Sequence, residues 1–202
     1  MNIIHHTIKI ATLNCRGLKK SENSTKRQQF IRYLKALGYD ILVLQETHAS
    51  DISTQELLIN HFSCKSSLWT QHCGIVSLST KFTLQNISDG IDGGRYILAH
   101  IYLTQDLETT TTIPPIATIL NIYGRSDLHS ARSAFYSELL DGPIVKDTIT
   151  NSNNNPIFIM GDFNYQYKDR RMDGSLICAP PSWTQLLEDR YIDIFGEEKL
   201  AT

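Results

Sequence analysis

The chain has 202 residues, of which 41% are apolar and 20% charged, and its formal net charge is −2. This composition excludes a disordered charged chain, and the length predicts one domain with a sizeable core. Because the near-neutral charge gives no global attraction to nucleic acid, a protein of this kind that bound one would need local basic patches.

The cysteines and the apolar runs indicate the cellular compartment of the protein. The four cysteines, at positions 15, 64, 73 and 178, form no CxxC pair, so neither zinc ligation nor a disulfide partner is expected. No apolar run reaches membrane-spanning length, and the start of the chain lacks the basic and then apolar order of a secretory signal. We therefore expect an intracellular protein that does not associate with a membrane.

The first third of the chain alternates strands with helices. In chain order the pattern predicts a strand at 7–14, a helix from Ser24 or Thr25 to Gly38, a strand at 41–44, and a helix that opens at Asp51 or Ser53. The continuous apolar run at 41–44 is typical of a strand buried on both faces. The second helix is expected to bury Leu57 and Leu58.

Strands dominate from residue 74 onward. The predicted elements are strands at 74–79, 95–103 and 116–123, an exposed loop at 109–115, a helix from Asp127 or Ser130 to about Leu140, a linker at 150–156, a strand at 157–160, a helix at 182–188 and a strand at 191–195. Alternating helices and strands followed by consecutive strands predict an α/β protein whose mixed sheet, or pair of sheets, is covered by helices.

Four of the predicted strands end on polar side chains that carry oxygen. They are Asn14, Glu46 after Gln45, the pair Asn121 and Tyr123, and the pair Asp162 and Asn164. Strand ends converge at clefts, so oxygen ligands from distant positions can meet there, and carboxylate and amide oxygens suit Mg²⁺. A single acidic residue after a strand is more often a turn residue or a helix cap. The prediction of a metal site therefore depends on finding such residues at the ends of four strands in order along the chain.

These motifs resemble those of the endonuclease/exonuclease/phosphatase (DNase I-like) superfamily. The similar segments are Leu-Asn-Cys-Arg-Gly-Leu (13–18), Leu-Gln-Glu-Thr-His (44–48), Asn-Ile-Tyr (121–123) and Gly-Asp-Phe-Asn (161–164), and the resemblance covers about 8–195. Within the superfamily, which includes DNase I and the apurinic/apyrimidinic endonucleases, the chain is most similar to the endonuclease domains of non-LTR (LINE-type) retrotransposons. That similarity rests on Asn-x-Arg-Gly-Leu, Gln-Glu-Thr-His, and Trp183-x-x-Leu186 followed by Asp193-Ile194-Phe195.

The resemblance implies a four-layered α/β (α+β) sandwich of two mixed sheets flanked by helices, and phosphodiester hydrolysis that depends on Mg²⁺, with Mn²⁺ as an alternative. It implies that Glu46 binds the metal and that Asn14 is a ligand or a neighbour of a ligand. Asp162 and Asn164 would position the attacking water and hold the scissile phosphate. Tyr123 would donate a hydrogen bond to the phosphate or to the leaving oxygen.

Two arginines are candidates for contact with the phosphates of DNA. Arg95, in Gly-Gly-Arg-Tyr, resembles a family position just before a strand, although a structural salt bridge is an equal alternative. Arg125 follows the tyrosine motif, and its alternative is a surface cation. His48 is assigned to local structure rather than to catalysis.

One part of the family pattern is missing. The family's last catalytic segment carries an Asp and then an Asp-His pair, whereas nothing after Asp193 resembles it. We therefore expect one domain over 1–202 that is incomplete at its C-terminus, without its last strands and with an open sheet edge.

Three functions stay open at this stage. The first is a DNA-nicking endonuclease of retrotransposon origin, acting in the nucleus and forming part of a polyprotein with a reverse transcriptase. The second is a truncated, catalytically inactive remnant of that domain. The third is a DNA-repair enzyme or another phosphodiesterase of the same superfamily.

Overall fold

The computed structural model describes residues 7–18, 24–105, 113–151, 155–165 and 179–194. Two four-stranded sheets and the helices around them make up this part of the chain. The elements are β1 (Ile10–Asn14), α1 (Ser24–Ala36), β2 (Ile41–Gln45), α2 (Ile52–Phe62), β3 (Ser66–Trp69), β4 (Cys73–Ser77), β5 (Phe82–Asp89), α3 (Ile91–Gly94), β6 (Tyr96–Leu103), β7 (Ala117–Tyr123), α4 (His129–Asp141), α5 (Pro143–Thr150), β8 (Ile157–Asp162) and α6 (Pro181–Arg190). Of these, α3 is a single turn in which Asp92 and Gly93 have left-handed backbone angles.

Both sheets are mixed. The first has the order β1-β2-β4-β3 and the second the order β5-β6-β7-β8. In each sheet one pair of strands is parallel, β1 with β2 and β7 with β8, and the other pairs are antiparallel. The parallel pairs end in register, with Asn14 opposite Gln45 and Tyr123 opposite Asp162. Polar residues at these strand ends therefore lie together at one edge of each sheet.

Three apolar clusters divide the molecule into four layers. The central cluster joins the facing sides of the two sheets, for example Val43 of β2 with Ile119 of β7. A second cluster covers the outer face of the first sheet with α1 and α2, and a third covers the outer face of the second sheet with α4, α5 and α6. Because β2 has a covered face on each side, all five of its residues are buried.

The predicted architecture of two mixed sheets flanked by helices is confirmed, as are most of the predicted elements. Asp51 caps α2, since its side chain accepts from Thr54 N over 2.8 Å. Leu58 is buried as expected, but Leu57 is 37% exposed, so that part of the prediction is wrong. Most of the predicted loop at 109–115 and much of the linker at 150–156 lie outside the described residues.

Four elements were not predicted, namely α3, β3, β5 and α5, and one predicted strand is absent. The strands β3 and β5 were missed because β3 is only half-buried along its length, and β5 is exposed or half-buried from Gln85 onward and bulged between Asn86 and Ser88. The helix α5 begins at Pro143, directly after α4, in a segment for which no element was predicted. The strand predicted at 191–195 is absent from its described part, where Ile192 is 90% and Ile194 77% exposed.

The described part of the chain contains no helix with the length and apolar character to cross a membrane. Cys15, Cys64 and Cys73 are free thiols, whereas Cys178 lies outside the described residues.

Candidate functional site

The ends of β1, β2 and β8 converge on one amide group, the side chain of Asn14. Asn14 Nδ2 donates to Glu46 Oε1 over 2.9 Å and to Asp162 Oδ2 over 2.7 Å. Glu46 directly follows β2 of the first sheet, and Asp162 ends β8 of the second. The structure thus places two carboxylates from residues 116 positions apart, one from each sheet, on either side of a single side chain.

The orientation of Asn14 follows from its neighbours. Carboxylates only accept hydrogen bonds, so the amide nitrogen must be the atom that faces them. The amide oxygen accepts instead from Arg16 N over 2.8 Å. In this arrangement Asn14 holds the two carboxylates in place, and its oxygen is directed away from the space between them.

The backbone around Glu46 is held in an uncommon conformation. Glu46 has φ of +54°, and Arg16 and Asn164 have φ of +50° and +53°; residues other than glycine rarely adopt such angles. The Glu46 carbonyl accepts from Gly17 N over 3.0 Å and from Leu18 N over 3.2 Å. The turn after β1 and the turn after β2 therefore fix each other, which keeps the Glu46 side chain aimed at Asn14.

Tyr123 joins the cluster as a hydrogen-bond donor. Its hydroxyl donates to Glu46 Oε1 over 3.0 Å. Burial raises the pKa of Tyr123, and the hydrogen bond and charge of Glu46 raise it further. The phenol therefore keeps its proton, and the Arg95 guanidinium lies 4.9 Å from the centre of its ring.

Asp162 and Asn164 form one turn at the end of β8. Asp162 Oδ1 accepts from Asn164 N over 3.1 Å, and Asn164 Nδ2 donates to Gly124 O over 2.7 Å. Within the described residues nothing donates to the side-chain oxygen of Asn164. Arg132 supports the turn from α4 by donating to the Asn164 carbonyl. The site thus presents two acceptors side by side, the Asp162 carboxylate and the Asn164 amide oxygen.

The two predicted phosphate-contacting arginines share a carboxylate. Arg125 Nη1 donates to Asp92 Oδ2 over 2.7 Å, and Arg95 Nε lies 3.0 Å from the same oxygen. Arg125 also donates to Asp127 over 2.9 Å, and this hydrogen bond lowers the pKa of Asp127 to about 2. The salt bridge considered for Arg95 is present, and Arg125, for which a surface cation was the alternative, is also paired with carboxylates. Contact of either arginine with phosphate stays a prediction.

Sequence reasoning missed two features of the site. The His72 ring lies 5.7 Å, centre to centre, from the Tyr123 ring, although no motif marks this residue. Gln45 and Asn121 are almost wholly buried, and Gln45 Nε2 donates to Asn121 Oδ1 over 2.8 Å. Asn121 in turn donates to the carbonyls of Leu44 and Gly74. Both amides lie inside the recognised motifs, but nothing in the motifs indicated that they pair with each other.

The donor set can be compared with the needs of different metals. The described residues contain no group of three or more His, Cys, Asp or Glu side chains that could hold a metal, so they do not form a closed zinc site. Mg²⁺ is usually held by one or two carboxylates together with water and substrate phosphates. Glu46 and Asp162, joined through Asn14, fit that requirement.

Comparisons with known proteins place this site in context. Residues 11–191 match the model of the Endonuclease/Exonuclease/phosphatase family. A comparison with curated proteins finds no match.

Several solved structures are similar to the chain. A conserved protein of unknown function from Enterococcus faecalis V583 is 16% identical with a TM-score of 0.59, over 90% of this chain and 72% of that one. Truncated TDP2 from Caenorhabditis elegans is 20% identical with a TM-score of 0.55, over 83% and 67%. A beta-hairpin deletion mutant of beta toxin from Staphylococcus aureus is 13% identical with a TM-score of 0.56, over 93% and 74%. At these identities the likeness shows the fold.

Proposed function

Since the chain belongs to the Endonuclease/Exonuclease/phosphatase family, we propose that it hydrolyses phosphodiester bonds with the help of Mg²⁺ held at Glu46 and Asp162. The observation that carries the proposal is the approach of these two carboxylates, one from each sheet, to the Asn14 amide. Two carboxylates beside a phenol donor and an amide acceptor are the groups that phosphodiester hydrolysis needs.

Each residue has a part in this reaction. Asp162 and the Asn164 amide oxygen are acceptors, so they orient the attacking water, and Asp162 takes its proton. Tyr123 keeps its proton and donates to a phosphate oxygen or to the departing oxygen. A bound Mg²⁺ would neutralise phosphate charge. Asn14 holds Glu46 and Asp162 at the spacing that these roles require.

We propose DNA as the substrate, cleaved by nicking one strand. The motifs that resemble retrotransposon endonucleases support this choice, and so does the position of Arg95 over the Tyr123 ring, with Arg125 linked to Arg95 through Asp92. On the same grounds we propose a nuclear protein of retrotransposon origin that acts with a reverse transcriptase. The fold alone supports many substrates, so these finer points depend on the motifs and on experiment.

A nicking assay on supercoiled plasmid tests the proposal. We expect Mg²⁺-dependent conversion to open circles, which EDTA abolishes and which Mn²⁺ also supports. Glu46→Gln and Asp162→Asn should each lower the rate by at least about 100-fold. Glu56→Gln, the same change at an exposed site on α2, is the matched control and should nick at the wild-type rate.

Two outcomes would count against parts of the proposal. Nicking that survives both site substitutions would contradict the assignment of Glu46 and Asp162. Folded wild-type protein that binds Mg²⁺ but hydrolyses neither plasmid nor bis(p-nitrophenyl) phosphate would favour the catalytically inactive remnant.

A further inference from the structure

We propose that His72 and Arg95 form a second phosphate-binding subsite, which holds the phosphate that flanks the scissile one in a DNA strand. The inference rests on the proposed function, because it takes the cluster of Glu46, Tyr123 and Asp162 as the place where the bond is cleaved. The inference adds His72 to the residues that contact the substrate and places it beside Arg95 at the same phosphate.

The subsite is built from two loops at the same edge as the catalytic cluster. The loop before β4 carries His72 and the loop before β6 carries Arg95; these strands run antiparallel to β2 and β7, so both loops lie where Glu46 and Tyr123 lie. Thr47 N donates to His72 O over 3.2 Å, and Thr70 Oγ1 donates to Gly94 O over 2.5 Å. The two loops are therefore tied to each other and to the segment after Glu46.

The His72 ring is held by packing and leaves its nitrogens available. One side faces the Tyr123 ring at 5.7 Å between centres, and a methyl group added at Gly93 would lie 3.6 Å from Nε2. The ring is half-buried, yet no group in the described part of the chain forms a hydrogen bond with it. A ring fixed in position beside Tyr123, with unused nitrogens, is arranged to donate to a ligand rather than to the protein.

The Arg95 guanidinium is the charged donor of the subsite. Arg95 lies over the Tyr123 ring, and its buried Nε has no hydrogen-bond partner although it is 3.0 Å from Asp92 Oδ2. Burial lowers the pKa of His72, Arg95 and His48 lower it further, and the carboxylates of Asp92 and Glu46 act in the opposite direction. The neutral ring therefore offers an N–H donor beside a guanidinium. The subsite thus offers a phosphate one neutral and one charged N–H donor, and Asp92 offsets part of the Arg95 charge.

The competing explanation is that His72 only packs against Tyr123, and two substitutions separate the explanations. His72→Phe keeps a ring for packing but has no donor, whereas His72→Gln keeps a donor but has no ring. A phosphate contact should be lost in the first variant and largely kept in the second. A packing role predicts the opposite order. His129→Phe, at an exposed histidine that begins α4, is the matched control.

The first measurement compares two substrates in each variant. For a duplex oligonucleotide and for bis(p-nitrophenyl) phosphate, which has a single phosphate and cannot fill the second subsite, kcat and KM are determined. We expect His72→Phe to lower the ratio of kcat/KM for the oligonucleotide to that for the small substrate by about tenfold, mainly through KM. An unchanged ratio, or a larger loss in His72→Gln, would overturn the proposal.

The second measurement does not depend on turnover. In an Asp162→Asn background, the Kd of a fluorescein-labelled duplex is measured by fluorescence anisotropy. His72→Phe should raise it about tenfold and His129→Phe should leave it unchanged. Equal affinities in the two would overturn the subsite. If wild-type protein hydrolyses neither substrate, the proposed function fails on its own account, while this binding comparison still decides the subsite.

Discussion

Tyr123 donates to Glu46 Oε1 over 3.0 Å, and its pKa is raised mainly by three influences, in the order burial, hydrogen bond to Glu46 and charge of Glu46, with a smaller rise from Asp162 and an opposing effect of Arg95. All three favour the protonated phenol, so the hydroxyl remains a donor to a higher pH than a free tyrosine does. Replacing Glu46 by glutamine removes the charge and weakens the hydrogen bond while leaving the burial in place. We therefore expect the pKa of Tyr123 to fall in Glu46→Gln but to stay above its ordinary value.

A titration of tyrosine labelled with ¹³C at Cζ measures this change, with Tyr123→Phe to assign the resonance. Tyr191 is the internal reference, because burial raises its pKa to about 12 and Glu46 has no part in that shift. A pKa of Tyr123 that stays the same or rises in Glu46→Gln would show that Glu46 does not control this proton.

At this scale, residue types were predictable from the sequence and orientations were not. Asn14 was expected to be a metal ligand or a neighbour of one, since an amide can offer either an oxygen or a nitrogen. The choice depends on the Asp162 carboxylate, which is 148 positions away in the chain and lies beside Asn14 only because the two sheets face each other. His72 was missed for the same reason, because its significance comes from the Tyr123 ring in the other sheet.

At the scale of elements, the parallel pairing of β7 with β8 sets Tyr123 opposite Asp162 and requires a close approach at Gly161. Gly161 has φ of +142°, and a Cβ there would lie 2.0 Å from the Ile122 carbonyl oxygen. Because that oxygen belongs to the backbone, it cannot move without disturbing the strand pair. We expect Gly161→Ala to lower the free energy of unfolding by at least about 3 kcal/mol.

Urea denaturation measures this loss, with Gly38→Ala as the matched control. Gly38 also has a positive φ, +72°, but an added Cβ would meet nothing within 4 Å. Its substitution should cost about 1 kcal/mol, the penalty of the left-handed backbone alone. Similar losses in the two variants would mean that the close approach at Gly161 contributes nothing beyond its backbone angle.

The elements that could be predicted are those in which the same pattern of burial holds along the whole element. The strand β2 is covered on both faces, and its continuous apolar run predicted the strand correctly. The strands β3 and β5 are half-covered or bulged, so their residues alternate poorly and gave no pattern to recognise. The segment at 191–194 shows the reverse error. Its alternating isoleucines resemble a strand, yet they are exposed and pair with no strand among the described residues.

At the scale of the whole molecule, the site lies where the two sheets meet. The buried pair of Gln45 and Asn121 joins the sheets beneath it, and each amide is satisfied by further partners such as Val43 O and Leu44 O. Above that pair, Glu46 from one sheet and Asp162 from the other approach one amide. A cation between them would therefore connect the two halves of the sandwich, and its binding should stabilise the whole fold.

The last prediction follows from this geometry. A ligand that binds only the folded state adds about 2.7 kcal/mol to the free energy of unfolding at 100 times its Kd. We expect Mg²⁺ to raise the Tm of the wild-type chain in a concentration-dependent manner. Glu46→Gln and Asp162→Asn should abolish that rise. Each should also raise the Tm slightly without metal, since two neighbouring carboxylates repel each other.

Differential scanning calorimetry in EDTA and over a Mg²⁺ series measures both effects, and Glu56→Gln should behave as wild type. Ca²⁺ provides a further comparison, because it accepts looser oxygen geometry than Mg²⁺ and should also stabilise the fold. If the rise in Tm persisted in both site variants, the cation would be binding elsewhere on the protein. The two sheets would then meet at Asn14 through hydrogen bonds alone.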